Sequence, residues 1–142
     1  GLQSDAEFAE VFARSKWRQA KWGPSRIGGE LRRRGVAPAH AAAALAGVFG
    51  EGGRLEVRRF IEEEADEAAG DAGEGSMRAL GDGEAPVAAL LRTARDRWAR
   101  TAGLDAAARK RRLAGWLQRR GHVWDDVARV VARVEAEEAE AR

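Results

Sequence analysis

Cysteine is absent from this sequence, methionine occurs once, and there are only three prolines and two histidines. Without cysteine there is no disulfide framework and no Cys-based zinc site, a composition compatible with a reducing compartment. No apolar run approaches the roughly 20 residues needed to span a bilayer. His40 and His122 lie far apart, with no cysteine partner and no HExxH arrangement. The glycines of Ile27-Gly28-Gly29 fall within a helical pattern and follow no strand, so they form no phosphate loop. Asp125 and Asp126 look like a catalytic or metal pair, but they open a helix, where the dipole favours acids. Taken together, these absences exclude a recognisable enzyme: no catalytic residue, metal or cofactor is assigned. The chain begins at Gly1 and its single methionine is Met77, the pattern of a fragment that leaves room for a targeting peptide upstream.

What the sequence has in quantity is alanine and charge. Hydrophobic residues make up 44% and charged residues 34%, yet the net charge is only +2, so distribution matters more than balance. Alanine favours helix but buries little area. Ser4-Asp5-Ala6-Glu7 has the spacing of a capping box. Phe8, Val11, Phe12 and Ser15 follow as a stripe, and this helix should run to about Lys21 before Gly23-Pro24 interrupts it. Pro24 suits the first position of a second helix, lined by Ile27 and Leu31 and ended by Gly35. A third helix near Pro38 should bury Ala41, Ala44, Leu45 and Val48.

The same unit recurs at a constant offset. Ile27, Leu31, Arg33, Arg34 and Gly35 correspond to Leu113, Leu117, Arg119, Arg120 and Gly121. Ala41, Ala44, Leu45 and Val48 correspond to Val127, Val130, Val131 and Val134. Each glycine stands where a left-handed helix terminus is needed, which would set Leu31 against Val36 and Leu117 against His122. The upstream helix of the second copy spans 86–102, with Val87, Leu90, Leu91, Ala94 and Trp98 facing inward. The fold class is therefore all-α, with tandem three-helix repeats forming an elongated helical bundle. Residues 1–50 make the first repeat and 86–142 the second. Residues 51–85 hold an acidic helix, Leu55 to Ala69, and a Gly-, Asp- and Glu-rich linker, Gly70 to Ala85.

Basic residues gather in matching places. Arg14, Lys16, Arg18, Lys21, Arg26, Arg32, Arg33 and Arg34 lie in the first copy. Arg92, Arg95, Arg97, Arg100, Arg109, Lys110, Arg111, Arg112, Arg119 and Arg120 lie in the second. Glu30, Asp96 and Asp105 are the few acids among them. Arg32 to Arg34 and Arg119 to Arg120 complement the C-terminal ends of their helices, each contributing roughly 0.3–1 kcal/mol. That does not explain Arg109 to Arg112 near a helix start, which points to phosphates or an acidic protein surface. The five tryptophans (Trp17, Trp22, Trp98, Trp116 and Trp124) read chiefly as core anchors. Trp22, beside the Gly23-Pro24 break, is the best candidate for an exposed one that could stack on a base.

Two runs carry a resemblance. Phe8-Ala9-Glu10-Val11-Phe12-Ala13-Arg14-Ser15, then Trp22-Gly23-Pro24-Ser25-Arg26-Ile27 and Glu30-Leu31-Arg32-Arg33-Arg34-Gly35-Val36, resemble the central repeat of RecX proteins. Lys110-Arg111-Arg112-Leu113, Trp116-Leu117-Gln118-Arg119-Arg120-Gly121 and Trp124-Asp125-Asp126-Val127 resemble their last repeat. Ser15-Lys16-Trp17 paired with Trp22-Gly23-Pro24 is most similar to plastid-type members. The resemblance implies a row of three-helix repeats that binds the groove of the RecA–DNA filament and restrains its ATPase, strand-exchange and co-protease activities. It implies a monomer that contacts RecA and single-stranded or duplex DNA phosphates, with no membrane association. The place would be the bacterial cytoplasm, or the plastid stroma in a plant or alga. The contact residues would be Arg14, Lys16, Arg18, Lys21, Arg26, Arg32, Arg33, Arg34, Arg109, Lys110, Arg111, Arg112, Arg119 and Arg120. His122 stands where the family usually has an aromatic residue, which would loosen the last repeat.

Two other functions fit the same residues: a stand-alone helical module whose arginines contact only DNA phosphates, and a purely structural adaptor. Tighter binding to RecA filament than to bare DNA separates the first reading from both. The segment Gly70 to Ala85 has only Met77 and Leu80 as large apolar residues, too few to offset its ordering entropy. Limited proteolysis is expected to cut it first, and shortening it should leave the melting temperature almost unchanged; slow amide exchange across it would contradict this.

Overall fold

The computed structural model describes residues 4–69 and 84–141. Most of the expected linker, residues 70–83, lies outside the described residues. The described elements are helical throughout: α1 (Asp5–Ala20), α2 (Pro24–Arg33), α3 (Pro38–Phe49), a 3-10 turn (Glu51–Gly53), α4 (Val57–Ala69), α5 (Pro86–Arg100), α6 (Ala106–Arg119) and α7 (Trp124–Glu140). All three prolines stand at helix N-termini, where a missing N–H costs nothing.

The boundaries follow from local chemistry. Ser4 caps α1 through its hydroxyl, which accepts the Glu7 N–H at 3.2 Å, while Asp5 and Glu7 sit at the positive end of the dipole. Lys21 ends α1 in the left-handed region (φ 55°), the one described non-glycine residue with positive φ. Helices α2 and α6 end alike. Val36 N–H donates to Leu31 O at 3.0 Å and His122 N–H to Leu117 O at 3.2 Å, across Gly35 and Gly121 at φ 84° and 89°. These are two Schellman endings, as the repeat predicts.

The chain forms two compact units that interleave along its length: residues 1–55 with 114–127, and residues 56–113 with 128–142. In the first unit α1 and α2 pack on α3. Its core includes Ala9, Phe12, Ala13, Trp17, Ile27, Leu31, Phe49 and Leu117. Trp17 meets Phe49 edge to face at 5.1 Å between ring centroids. The expected α1 stripe was displaced: Val11 is 60% exposed, because at 3.6 residues per turn it lies about half a turn from Ala9 and Ala13. Leu45 and Val48 are only half-buried. Leu45 neighbours Gly28 and Gly53, which have no side chain to cover it.

The first unit is closed by a backbone-to-backbone contact. Gly23 N–H donates to Arg120 O at 2.6 Å, and Arg120 Nη1 donates to Ala20 O at 3.2 Å. Buried His122 reaches Lys21 O through Nε2 at 2.8 Å, and Arg26 Nη1 reaches Arg119 O. A Cβ on Gly23 would lie 2.6 Å from Gly121 O, and one on Gly121 would lie 2.9 Å from Arg26 N. His122 therefore fastens this repeat rather than loosening it. Burial pushes the His122 pKa down, against the bond to Lys21, so the ring is neutral with Nε2–H donating.

In the second unit Val57, Val87, Leu90, Leu91, Ala94, Trp98, Leu113, Val130, Val131 and Val134 are buried, which takes in the full set expected of α5 and three of the four expected valines of α7; the fourth, Val127, is buried in the first unit. Helix α4, the acidic helix expected over 55–69, sends Glu64 to Arg133 Nη2 at 2.6 Å. Arg133 and Arg95 share Glu137, whose carboxyl is held below its ordinary range, chiefly by the Arg95 hydrogen bond.

The two helix-ending glycines should respond differently to alanine. At Gly35 a Cβ meets nothing within 4 Å, so Gly35→Ala should cost only the left-handed strain of about 1–2 kcal/mol. Gly121→Ala adds a collision with the Arg26 backbone and should cost roughly 2–5 kcal/mol. Urea denaturation of both variants checks this, and equal losses would show that the Gly121 contact is not tight.

Candidate functional site

The cationic residues singled out by the sequence separate into three structural groups. The first group holds the fold. Arg26 lies over the Trp22 ring at 3.9 Å besides bonding Arg119 O, and Arg120 lies 5.2 Å from the Trp116 ring. Arg109 is 6% exposed. Its Nε donates to Thr101 Oγ1 at 3.3 Å and its Nη2 to Trp98 O at 2.7 Å. Its Nη1 and Nη2 grip Glu138 at 2.8 and 3.0 Å, and its guanidinium lies 4.0 Å from the Trp98 ring centroid. This corrects the reading that folding leaves Arg109 unexplained. A buried guanidinium with four of its five N–H groups engaged outweighs the small dipole penalty at the start of α6.

The second group is paired at the surface. Arg14 meets Glu10 at 3.1 Å, Arg33 and Arg34 share Glu30 at 2.9 and 3.2 Å, and Lys110 meets Glu135 at 3.2 Å. Such exposed pairs contribute about 0–1 kcal/mol and can be exchanged for another anion at little cost. Lys16 and Lys21 lie over aromatic rings: Lys16 Nζ is 4.8 Å from Trp22, and Lys21 Nζ is 5.1 Å from Trp17. Trp22 is thus held between Lys16 and Arg26 with its edge on Phe12, and it is not the exposed tryptophan. That residue is Trp124, 63% exposed beside exposed Val123 at the start of α7. The sequence missed it because Trp124 opens its helix, ahead of the Val127 to Val134 stripe that alone faces inward.

The third group is Arg18, Arg32, Arg111, Arg112 and Arg119. All five are exposed, and none makes an ion pair with a described residue. Among the described residues no group of three or more His, Asp or Glu could hold a metal ion, and no helix is long and apolar enough to cross a membrane. These arginines offer exposed guanidinium forks, and Trp124 an exposed indole, groups that suit binding of anions and of flat apolar surfaces respectively.

Comparison with family models matches residues 4–45 to the second three-helix domain of RecX and residues 84–131 to its third. Together they take in well over half of the chain, in the order of the two repeats. The chain belongs to the RecX family. RecX proteins are regulators tied to the RecA recombinase rather than enzymes. Neither the curated proteins nor the solved structures give a match. The second-domain match covers α1, α2 and the start of α3, and the third-domain match covers α5, α6 and the first turns of α7. Both Schellman glycines and both members of the Gly23–Gly121 contact therefore lie within RecX domains.

Arg109→Ala in this RecX-family chain should destabilise by roughly 1.5–3 kcal/mol, the usual loss for a hydrogen-bonded charge whose buried partners are stranded. Arg109→Lys should recover only part, because an ammonium cannot reach Glu138, Trp98 O and Thr101 as a planar fork. Thermal and urea melts test this; a fully stable alanine variant would return Arg109 to the surface group.

Proposed function

We propose that the chain binds the RecA–DNA filament and restrains its ATPase, strand-exchange and co-protease activities, without catalytic chemistry of its own. Family membership supports the partner, and the unpaired arginines support the mode of contact. The observation that carries the reading is the pair Arg111 and Arg112. Both are exposed near the middle of α6, past the first turn to which the helix dipole is confined, and neither has an anionic partner among the described residues, so neither helix stability nor an ion pair accounts for them. Neighbouring Arg109 and Lys110 are explained by Glu138 and Glu135. In the first unit Arg18, Arg32 and Arg119 offer contacts of their own, and the surface-paired Arg14, Arg33 and Arg34 can add to them by exchanging their carboxylate partners. The protein acts as a monomer, in the bacterial cytoplasm or, in a plant or alga, in the plastid stroma.

A stand-alone DNA-binding module is the alternative, favoured by the exposed Trp124, whose indole could stack on an unpaired base. Co-sedimentation with RecA, in the presence and absence of single-stranded DNA, distinguishes the two. The filament should retain the chain at salt concentrations where bare DNA releases it. Replacing Arg111 and Arg112 together by Ala should weaken inhibition of the DNA-dependent ATPase and leave stability unchanged or slightly raised. A double variant that inhibits as well as the parent at moderate salt would remove these residues from the interface.

A further inference from the structure

Between the end of α5 and the middle of α6, within the second unit, lies a cavity of about 220 Å³. Its lining is Arg97, Arg100, Thr101, Arg109, Arg112 and Leu113. Four of the six lining residues are arginines, and no carboxylate lines it. Arg109 is buried and already neutralised by Glu138, so it contributes a rigid wall. Arg100 and Arg112 differ: both are exposed, they come from different helices, and neither has an ion pair among the described residues. The Thr101 hydroxyl is committed, accepting from Arg109 Nε and donating to Trp98 O. Helix stability explains Arg100, which suits the C-terminal turn of α5, but not Arg112 on the facing wall. Two like charges brought to one concavity repel unless an anion occupies it.

The size and the donors define that anion. At about 30 Å³ per water the cavity holds the equivalent of about seven waters. Pockets that enclose a whole small-molecule ligand begin at roughly 300 Å³. The site therefore admits one anionic group and leaves the rest of its bearer outside. A carboxylate is planar and offers both oxygens along one edge, which a single guanidinium fork fills. A tetrahedral phosphoryl group directs its oxygens several ways, so forks arriving from α5 and α6 can each be met. We propose that this cavity is a phosphate subsite, and that Arg100 and Arg112, steadied by the Arg109 wall, seat one backbone phosphate of a single-stranded DNA in it. The assignment of a DNA strand as bearer rests on the reading of the chain as a filament-binding regulator.

The test compares the parent chain with the double variant Arg100→Lys/Arg112→Lys, which keeps both charges but removes both forks. The probe is a fluorescein-labelled oligothymidylate, followed by anisotropy over a series of salt concentrations, with no recombinase present. Binding should weaken about tenfold, as expected for losing one charge-assisted hydrogen bond. The corresponding double alanine variant should also lower the salt slope by about 0.7, the change for the one phosphate contact removed. Melting temperatures should stay within error of the parent, since both side chains are exposed. Lysine variants that bind the oligonucleotide like the parent would overturn the subsite, because plain surface charge would be sufficient. If they bind DNA normally but lose co-sedimentation with the filament, the cavity takes a carboxylate of the protein partner and the phosphate assignment falls. If inorganic phosphate raises the melting temperature of the parent alone while DNA binding is equal, the bearer is free phosphate and the strand assignment falls. Because the DNA assay contains no recombinase, its outcome is independent of whether the chain inhibits the filament.

Discussion

The first unit depends on two main chains meeting without side chains between them. Gly23 and Gly121 stand at that meeting, and each would collide with the opposite backbone if it carried even a methyl group. Because the chains come so close, the otherwise unsatisfied carbonyls at the ends of α1 and α6 find donors across the contact: Ala20 O from Arg120, Lys21 O from His122, Arg119 O from Arg26 and Arg120 O from Gly23. Helix ends buried without such partners are costly. The same contact gives the left-handed Lys21 its use, since that conformation turns Lys21 O toward His122.

In the second unit the corresponding burden falls on charge. Arg109 ties the end of α5 to α6 and α7 by adding a donor to Trp98 O, which Thr101 already meets, but it carries a full positive charge into the interior and needs Glu138 to do so. Around it, Arg95, Arg133, Glu64 and Glu137 link α4, α5 and α7 by ion pairs that occupy Glu137, while Glu135 and Glu138 of α7 are taken by Lys110 and Arg109. The arginines of α6 beyond Arg109 and Lys110 are thus left facing outward with no acid to meet. Arginines that hold the fold and arginines proposed to bind stand side by side in one run of sequence, and only their acidic partners distinguish them.

Much of this was legible in the sequence. The constant offset between Ile27, Leu31, Gly35 and Leu113, Leu117, Gly121 located both Schellman endings, because a left-handed terminus needs glycine wherever it occurs. Every residue named by the apolar period of α5, Val87, Leu90, Leu91, Ala94 and Trp98, is buried, because its large members define a face; only small Ala89, also buried, was missed. Helix α1 was harder. Its buried face is half alanine, so the larger Val11 misled the eye toward solvent. The site was legible only as a charge cluster. Whether Arg109 binds a ligand or Glu138 depends on a contact across 29 positions, and whether Trp22 or Trp124 is exposed depends on cations that stack on one ring and not the other. Neither leaves a local signal.

The bond from His122 to Lys21 spans 101 positions. A growing chain meets this distance as time. Ribosomes add about 5–20 residues per second, so roughly 5–20 s pass between the appearance of Lys21 and that of its partner. During that interval α1, α2 and α3 are all present, but Ala20 O and Lys21 O at the end of α1 still lack the donors that Arg120 and His122 will bring. The first unit, although it begins at the N-terminus, therefore waits for residues 114–127 and is completed only shortly before the second, which needs residues 128–142. Distant pairing of this kind also slows refolding, since the closure entropy of a long loop is lost before the contact returns anything.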